Sequence, residues 1–91
     1  MKAYIGALKF AFSQAYGEKP ETWVAGTEAT NKQGQIVREF KNEKNGILLQ
    51  VTDQGEDGEF GKFNAKRTDA AAASDEEMTL SIPKSWTKLN F

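Results

Sequence analysis

Clusters of turn-forming residues divide the chain at short, regular intervals, and this spacing limits the fold more than any other feature. The clusters lie at residues 17–20, 31–34, 42–46 and 53–58 and are rich in Gly, Asn and Asp. Gly and Asn adopt the positive φ angles that tight turns require. Short runs at this spacing, separated by such turns, are typical of an antiparallel sheet, a β-sandwich or a small barrel.

Side chains alternate in character along the runs between these turns, which is the pattern of strands with one buried face. The positions predicted to share a face are Ile36, Arg38 and Phe40, then Ile47, Leu49 and Val51, and finally Met78, Leu80 and Ile82. Asn45-Gly46 is a strong hairpin signal between two such runs, so we expect a hairpin over residues 36–51. Residues 22–30 form a further β-branched run. Pro83 ends the last run because proline has no amide to donate.

Two segments are ambiguous. Residues 2–16 fit a strand that places Phe10 and Phe12 on one face, and they also fit a helix, in which Phe10 is poorly placed. Aromatic residues favour strands, so we expect a strand here, with a helix as the alternative. Residues 68–77 fit either one or two turns of helix capped by Asp69 or an exposed loop.

Together these patterns predict one compact domain over residues 1–91, of the mainly β class. We expect a small antiparallel barrel or sandwich of five to six short strands with at most one short helix. If residues 2–16 are helical, the class becomes α+β and the sheet shrinks to about four or five strands.

Cysteine and histidine are both absent from the chain. Their absence excludes disulfides, thiolate nucleophiles, histidine bases and haem ligation by histidine or cysteine. Glu76 and Glu77 are adjacent and therefore point apart, and nothing marks Ser81 beside Lys84 as a nucleophile. The glycine motifs of phosphate-binding loops are missing. We therefore expect no enzymatic activity and no cofactor.

The acidic turn at residues 53–59 matches only part of a calcium-binding loop. Asp57 and Gly58 fit the fifth and sixth positions of an EF-hand loop, whereas Gly55 and Asn64 occupy the third and twelfth, where oxygen ligands are required. We expect a solvated hairpin tip and no metal site.

Aromatic and basic residues interleave in two parts of the chain, and both are candidates for contact with a partner. The candidate residues are Lys62, Phe63, Lys66 and Arg67 in the first part, and Lys84, Trp86 and Lys88 in the second. Proteins that bind single-stranded nucleic acid stack bases on aromatic side chains and follow the backbone with cations. This chain has 12 basic and 13 acidic residues, so it lacks the overall positive field that most such proteins use.

A structural interpretation stands beside each of these candidates. Phe63 can be a core or edge residue while the neighbouring lysines solubilise an exposed strand. Trp86 can be buried by a C-terminal segment that folds back as a lid, or it can stay partly exposed as the anchor for a partner.

The function predicted from these observations is that of a non-catalytic small binding protein with a protein partner. It would act as an inhibitor, an accessory factor or a structural subunit, and one version is a factor encoded by a phage or mobile element. Single-stranded nucleic acid is the alternative partner. No stretch approaches the roughly 18–20 apolar residues that span a bilayer, and residues 1–17 lack the apolar core of a signal peptide. We therefore expect a cytoplasmic protein that does not contact membranes.

Overall fold

The structure, a computed structural model, describes residues 1–71 and 76–91. Its described part contains one α-helix followed by five antiparallel strands. The elements are helix α1 (Ile5–Tyr16) and strands β1 (Trp23–Thr30), β2 (Ile36–Asn42), β3 (Leu48–Asp57), β4 (Phe60–Arg67) and β5 (Glu77–Pro83). Short 3-10 turns lie at Lys2–Tyr4, Pro20–Thr22 and Lys84–Lys88. The mainly β class with one short helix is confirmed.

The five strands form a single sheet in the order β1–β2–β3–β4–β5. Within the described residues no ladder joins β1 to β5, so the closed barrel is not confirmed. Helix α1 packs on one face of the sheet, where a sandwich would have its second sheet. We call this the covered face. Antiparallel sheets commonly pack one face on the core and leave the other to solvent.

Residues 2–16 are helical, so the expected strand is wrong. The sheet has five strands, as the helical alternative predicts, but the class remains mainly β and does not become α+β. Leu8 and Phe12 are fully buried against the covered face, and the Phe12 ring lies 5.3 Å from the ring of Phe40. The aromatic content that favours a strand was outweighed by the tertiary contacts that a helix makes here.

Phe10 explains why the local pattern was misleading. It belongs to a second apolar side of α1, which is covered by residues 84–91, here called the C-terminal segment. The ring of Phe10 lies 5.5 Å from Trp86 and stacks at 6.3 Å on Phe91. A helix with apolar contacts on two sides does not show the single stripe by which amphipathic helices are identified.

The hairpin expected over residues 36–51 is confirmed, and a buried amide organises its turn. Gly46 has a φ of 76°, which glycine adopts without strain. Asn42 is fully buried, and its Oδ1 accepts hydrogen bonds from the amides of Lys44 at 2.8 Å and Asn45 at 2.9 Å. A side-chain amide that mimics a backbone turn in this way is a common use of Asn.

The core lies between α1 and the covered face. The predicted alternation is confirmed there, since Ile47, Leu49 and Val51 are all buried. Met78 and Leu80 also pack against the core but are only partly buried, because β5 is an edge strand. The largest fully buried side chains are those of Trp23, Phe12, Phe40 and Phe63.

Residues 53–59 form the end of β3 and an exposed turn into β4, which confirms the expected hairpin tip. Of the ambiguous stretch 68–77, residues 72–75 lie outside the described residues. Asp69 does not cap a helix in the part that is described; its carboxylate instead binds the guanidinium of Arg67.

Candidate interaction surface

The face of the sheet opposite α1 carries no covering element among the described residues. Side chains of residues paired across antiparallel strands lie on the same face, so the register identifies its members. We call this surface the open face. It comprises Val24, Ala29, Val37, Glu39, Lys41, Leu48, Gln50, Thr52, Asp57, Phe60, Lys62, Asn64, Lys66, Glu77, Thr79, Ser81 and Pro83.

The middle of the open face is an uncharged row that crosses the whole sheet. Ala29 is paired with Val37, which is paired with Thr52; the row continues through Asn64 to Thr79. These side chains are small, branched or amide-bearing. Low charge at the centre with polar groups around it is the composition that distinguishes the centre of a protein–protein interface.

Charged residues lie on either side of this row, in equal numbers of each sign. The three lysines are Lys41, Lys62 and Lys66, and the three carboxylates are Glu39, Asp57 and Glu77. Lys62 Nζ lies 3.2 Å from Asp57 Oδ2, and Lys66 is paired directly with Glu77. The open face therefore has no excess of positive charge.

Two apolar side chains are exposed at opposite ends of the open face. Val24, near the start of β1, is 43% exposed, and Phe60, at the start of β4, is 44% exposed. Aromatic side chains presented in this way are common anchors in protein interfaces.

The first group of residues predicted from the sequence is divided between the two faces. Lys62 and Lys66 lie on the open face, whereas Phe63 is 1% exposed in the core, with its ring 5.2 Å from that of Tyr4. Arg67 lies on the same side as Phe63. The interleaving of aromatic and basic residues therefore does not form one surface, because successive strand residues point to opposite faces.

Arg67 is held in a compact ionic cluster. Its Nε and Nη2 donate to the two carboxylate oxygens of Asp69 at 2.7 and 3.1 Å, and its Nη1 donates to Glu76 at 3.0 Å. Hydrogen bonding to Asp69 raises the pKa of Arg67, and the same bonds lower the pKa of Asp69 to about 2. Burial, followed by the charge of Glu76, raises the pKa of Tyr16, whose ring lies 6.0 Å from the guanidinium. Arg67, the last residue of β4, is therefore ion-paired both with Asp69, two positions later, and with Glu76, directly before β5.

The second predicted group lies on the C-terminal segment, on the α1 side of the sheet. Lys84 Nζ is 3.3 Å from Glu56 Oε2, and Lys88 is exposed. Trp86 packs edge-on against Phe10 and keeps part of its surface exposed. The segment thus folds back onto the helix, and its lysines do not share a surface with those of β4.

The uncharged row was not singled out from the sequence. The signal was present, because the alternation that buries Leu49 and Val51 places Thr52 on the other face. Recognising Thr52, Asn64 and Thr79 as one row also requires the pairing of three strands, which the sequence does not show.

The described chain is thus a small antiparallel sheet domain with one face covered by a helix. Comparisons with protein-family models, with curated proteins and with solved structures found no match. None of the helices in the described ranges has the length and apolar content needed to cross a membrane. Over the same ranges, no group of three or more acidic residues is placed to hold a metal ion.

Proposed function

We infer that this is a non-catalytic binding protein that engages a protein partner through the open face. The uncharged row through Val37, Thr52, Asn64 and Thr79 is the observation that carries the proposal. A partner that covers this row buries no charged group, and so avoids the largest desolvation cost of forming an interface; its own polar groups can pair with the hydroxyl and amide groups of the row. The lysines and carboxylates around the row then supply orientation and specificity.

Charge balance favours a protein over a nucleic acid. Three lysines against three carboxylates leave the open face without the net positive charge that draws phosphates. Inhibitors, accessory factors and structural subunits, including those encoded by phages or mobile elements, are forms that such a binding protein takes. The absence of cysteine fits a cytoplasmic setting.

Single-stranded nucleic acid is the second candidate, and one local feature supports it. Phe60, Lys62 and Lys66 lie on the same strand and on the same face, which combines one exposed aromatic ring with two cations. This is the minimal arrangement for stacking a base and following its backbone.

Affinity capture from the native host, quantified by mass spectrometry, tests the first proposal. Asn64→Arg places a charge at the centre of the open face, and Gln14→Arg, on the exposed surface of α1, is the matched control. We expect at least one protein to be retained by the parent and by Gln14→Arg and lost with Asn64→Arg. If every retained protein is indifferent to Asn64→Arg, the open face is not the binding surface.

Fluorescence anisotropy with single-stranded oligonucleotides tests the alternative. Under the protein proposal, we expect no binding even at low salt. Binding that weakens linearly with salt on logarithmic axes, and that is lost in the double variant Lys62→Ala, Lys66→Ala, would favour the nucleic-acid function instead.

A further inference from the structure

The two edges of the sheet differ in a way that bears on assembly. In β1 the register shifts between Ala25 and Glu28, so this edge is interrupted by a bulge. In β5 the register with β4 runs without a shift from Glu77 to Pro83. Bulges protect edge strands from pairing with other chains, and a long regular edge lacks that protection.

The hydrogen bonds at the two ends of the β4–β5 ladder show which backbone groups of β5 point outward. The Arg67 amide donates to Glu76 O at 2.9 Å, and the Lys84 amide donates to Glu59 O at 2.8 Å. Hydrogen-bonded pairs alternate along an antiparallel ladder. Met78, Leu80 and Ile82 therefore direct their backbone groups to β4, and the intervening residues direct theirs away from the sheet. These outward residues are Glu77, Thr79 and Ser81.

We propose that β5 pairs antiparallel with β5 of a second copy of this chain, so that two five-stranded sheets become one continuous sheet. The pairing is centred on Thr79, which faces Thr79 of the second copy. Glu77 then faces Ser81 of the second copy, and Met78 faces Leu80. An interface of this kind is isologous, with the same patch contributed by both copies.

Three features favour a second copy as the occupant of this edge. The register brings no like charges together, because Glu77 meets a serine. Met78 and Leu80, which are only partly buried in one copy, cover each other on the α1 side. Pro83, which has no amide, falls outside the paired stretch in this register and disfavours registers shifted towards it.

The arrangement has a consequence for the open face. Since both copies contribute to one sheet, the uncharged row ending at Thr79 in one copy continues into the same row of the other. The dimer would present two binding surfaces side by side, which increases avidity for a partner with repeated sites.

Thr79→Pro provides the test, because the amide that it removes points away from β4. Proline is tolerated on edge strands in this orientation, so the fold should persist, as checked by circular dichroism. Thr79→Val, which keeps the amide and the branched side chain, is the matched control. We expect sedimentation velocity to give twice the chain mass of 10.1 kDa for the parent and for Thr79→Val, and 10.1 kDa for Thr79→Pro.

Hydrogen exchange of the parent gives a second measurement that does not require the proline variant to fold. The amides of Thr79 and Ser81 should be protected at high protein concentration and exchange faster on dilution. A monomer at every concentration, fast exchange of both amides throughout, or a dimer that survives in folded Thr79→Pro would each overturn the proposal. All of these measurements use this chain alone, so their outcome does not depend on whether the open face binds a protein partner.

Discussion

The carbonyl group of Leu89 lies directly against the backbone of Gly6, with no space between them for a side chain. A Cβ built on Gly6 would come within 2.7 Å of the Leu89 carbonyl carbon. Gly6 is in the first turn of α1, where glycine is a poor helix former. Its presence there allows the C-terminal segment to approach the helix closely.

Gly6→Ala therefore has two opposing effects on stability, because it raises the helix propensity and creates steric overlap with the Leu89 carbonyl group. Alanine favours the helix by up to about 1 kcal/mol, while overpacking costs about 1–3 kcal/mol. The close contact is with backbone, which cannot rotate away, so we expect the free energy of unfolding to fall by about 1–2 kcal/mol in urea titrations. In a chain shortened to end at Lys88, the same substitution should be neutral or stabilising. A stabilising effect in the full chain would show that the segment is not held against α1.

A double-mutant cycle measures the contact between Phe10 and Trp86. The rings meet nearly perpendicular, at 88° and 5.5 Å, a geometry that adds about 0.5–1.5 kcal/mol beyond area burial. Because Trp86 is only partly buried, we expect Trp86→Ala to lower stability by about 1–3 kcal/mol, less than for a fully buried aromatic. Thermal melts of both single variants and the double variant supply the coupling energy.

An unchanged melting temperature for Trp86→Ala would contradict the interpretation that the C-terminal segment is a lid that buries Trp86. If binding to a protein partner were lost at the same time, Trp86 would be an anchor for that partner instead.

Asn42→Ala should lower the free energy of unfolding more than the loss of a comparable but more exposed polar side chain does. Besides accepting two amide hydrogen bonds in the turn, Asn42 donates from Nδ2 to Thr22 Oγ1 at 2.9 Å, and it is fully buried. Its removal takes a buried partner from the turn amides of Lys44 and Asn45 and from the Thr22 hydroxyl, all of which are partly buried, at a total cost of about 1–3 kcal/mol. Asn31→Ala is the matched control, because its carboxamide oxygen also accepts two amide bonds, at 2.9 and 3.0 Å, in a more exposed turn. Equal losses in urea titrations of the two variants would contradict the importance of burial.

Stability should decrease in acid partly through Asp69. Its pKa is about 2 in the folded chain, below its ordinary value of 3.8, because Arg67 hydrogen-bonds to the charged form. The folded state therefore binds fewer protons than the unfolded state over this range, so the contribution is complete above about pH 4 and is lost as the pH falls towards 2. Thermal melts between pH 6 and pH 2 should show a smaller decrease for Asp69→Asn than for the parent.

Asp57→Asn serves as the control for this pH dependence. Its carboxylate pairs with Lys62 in an exposed position, where ion pairs contribute little. If Asp57→Asn and Asp69→Asn reduce the loss of stability between pH 6 and pH 2 by the same amount, the ion pair of Asp69 with Arg67 contributes no more to this pH dependence than an exposed ion pair does.

The strands could be predicted because their signals are local. The alternation around Leu49 and Val51 and the turn at Asn45-Gly46 each depend on residues close together in sequence. Part of the candidate surface follows from the same pattern, since Lys62 and Lys66 must lie opposite Phe63 on β4. Phe63 is a neighbour of these lysines in sequence only, because strand alternation directs its side chain to the other face.

Other features depend on residues that meet only in the folded chain. The helix at Ile5–Tyr16 is stabilised from two sides, by the sheet and by the C-terminal segment, and neither contact is visible within residues 2–16. Local propensity there was close to balanced between strand and helix, so tertiary packing decided the outcome. The hydrogen bond from Asn42 to Thr22 likewise joins side chains twenty positions apart.

Period-two patterning thus established which residues form strands and which of their side chains share a face, because a pleated strand alternates regardless of what it packs against. It did not establish which layer covers that face, which edge stays regular, or which polar side chains are paired. Those outcomes follow from contacts between distant residues, such as Gly6 with Leu89 and Tyr4 with Glu56. Contacts of this kind form only when the whole chain has folded, and their energies are comparable to the small local preferences that they override.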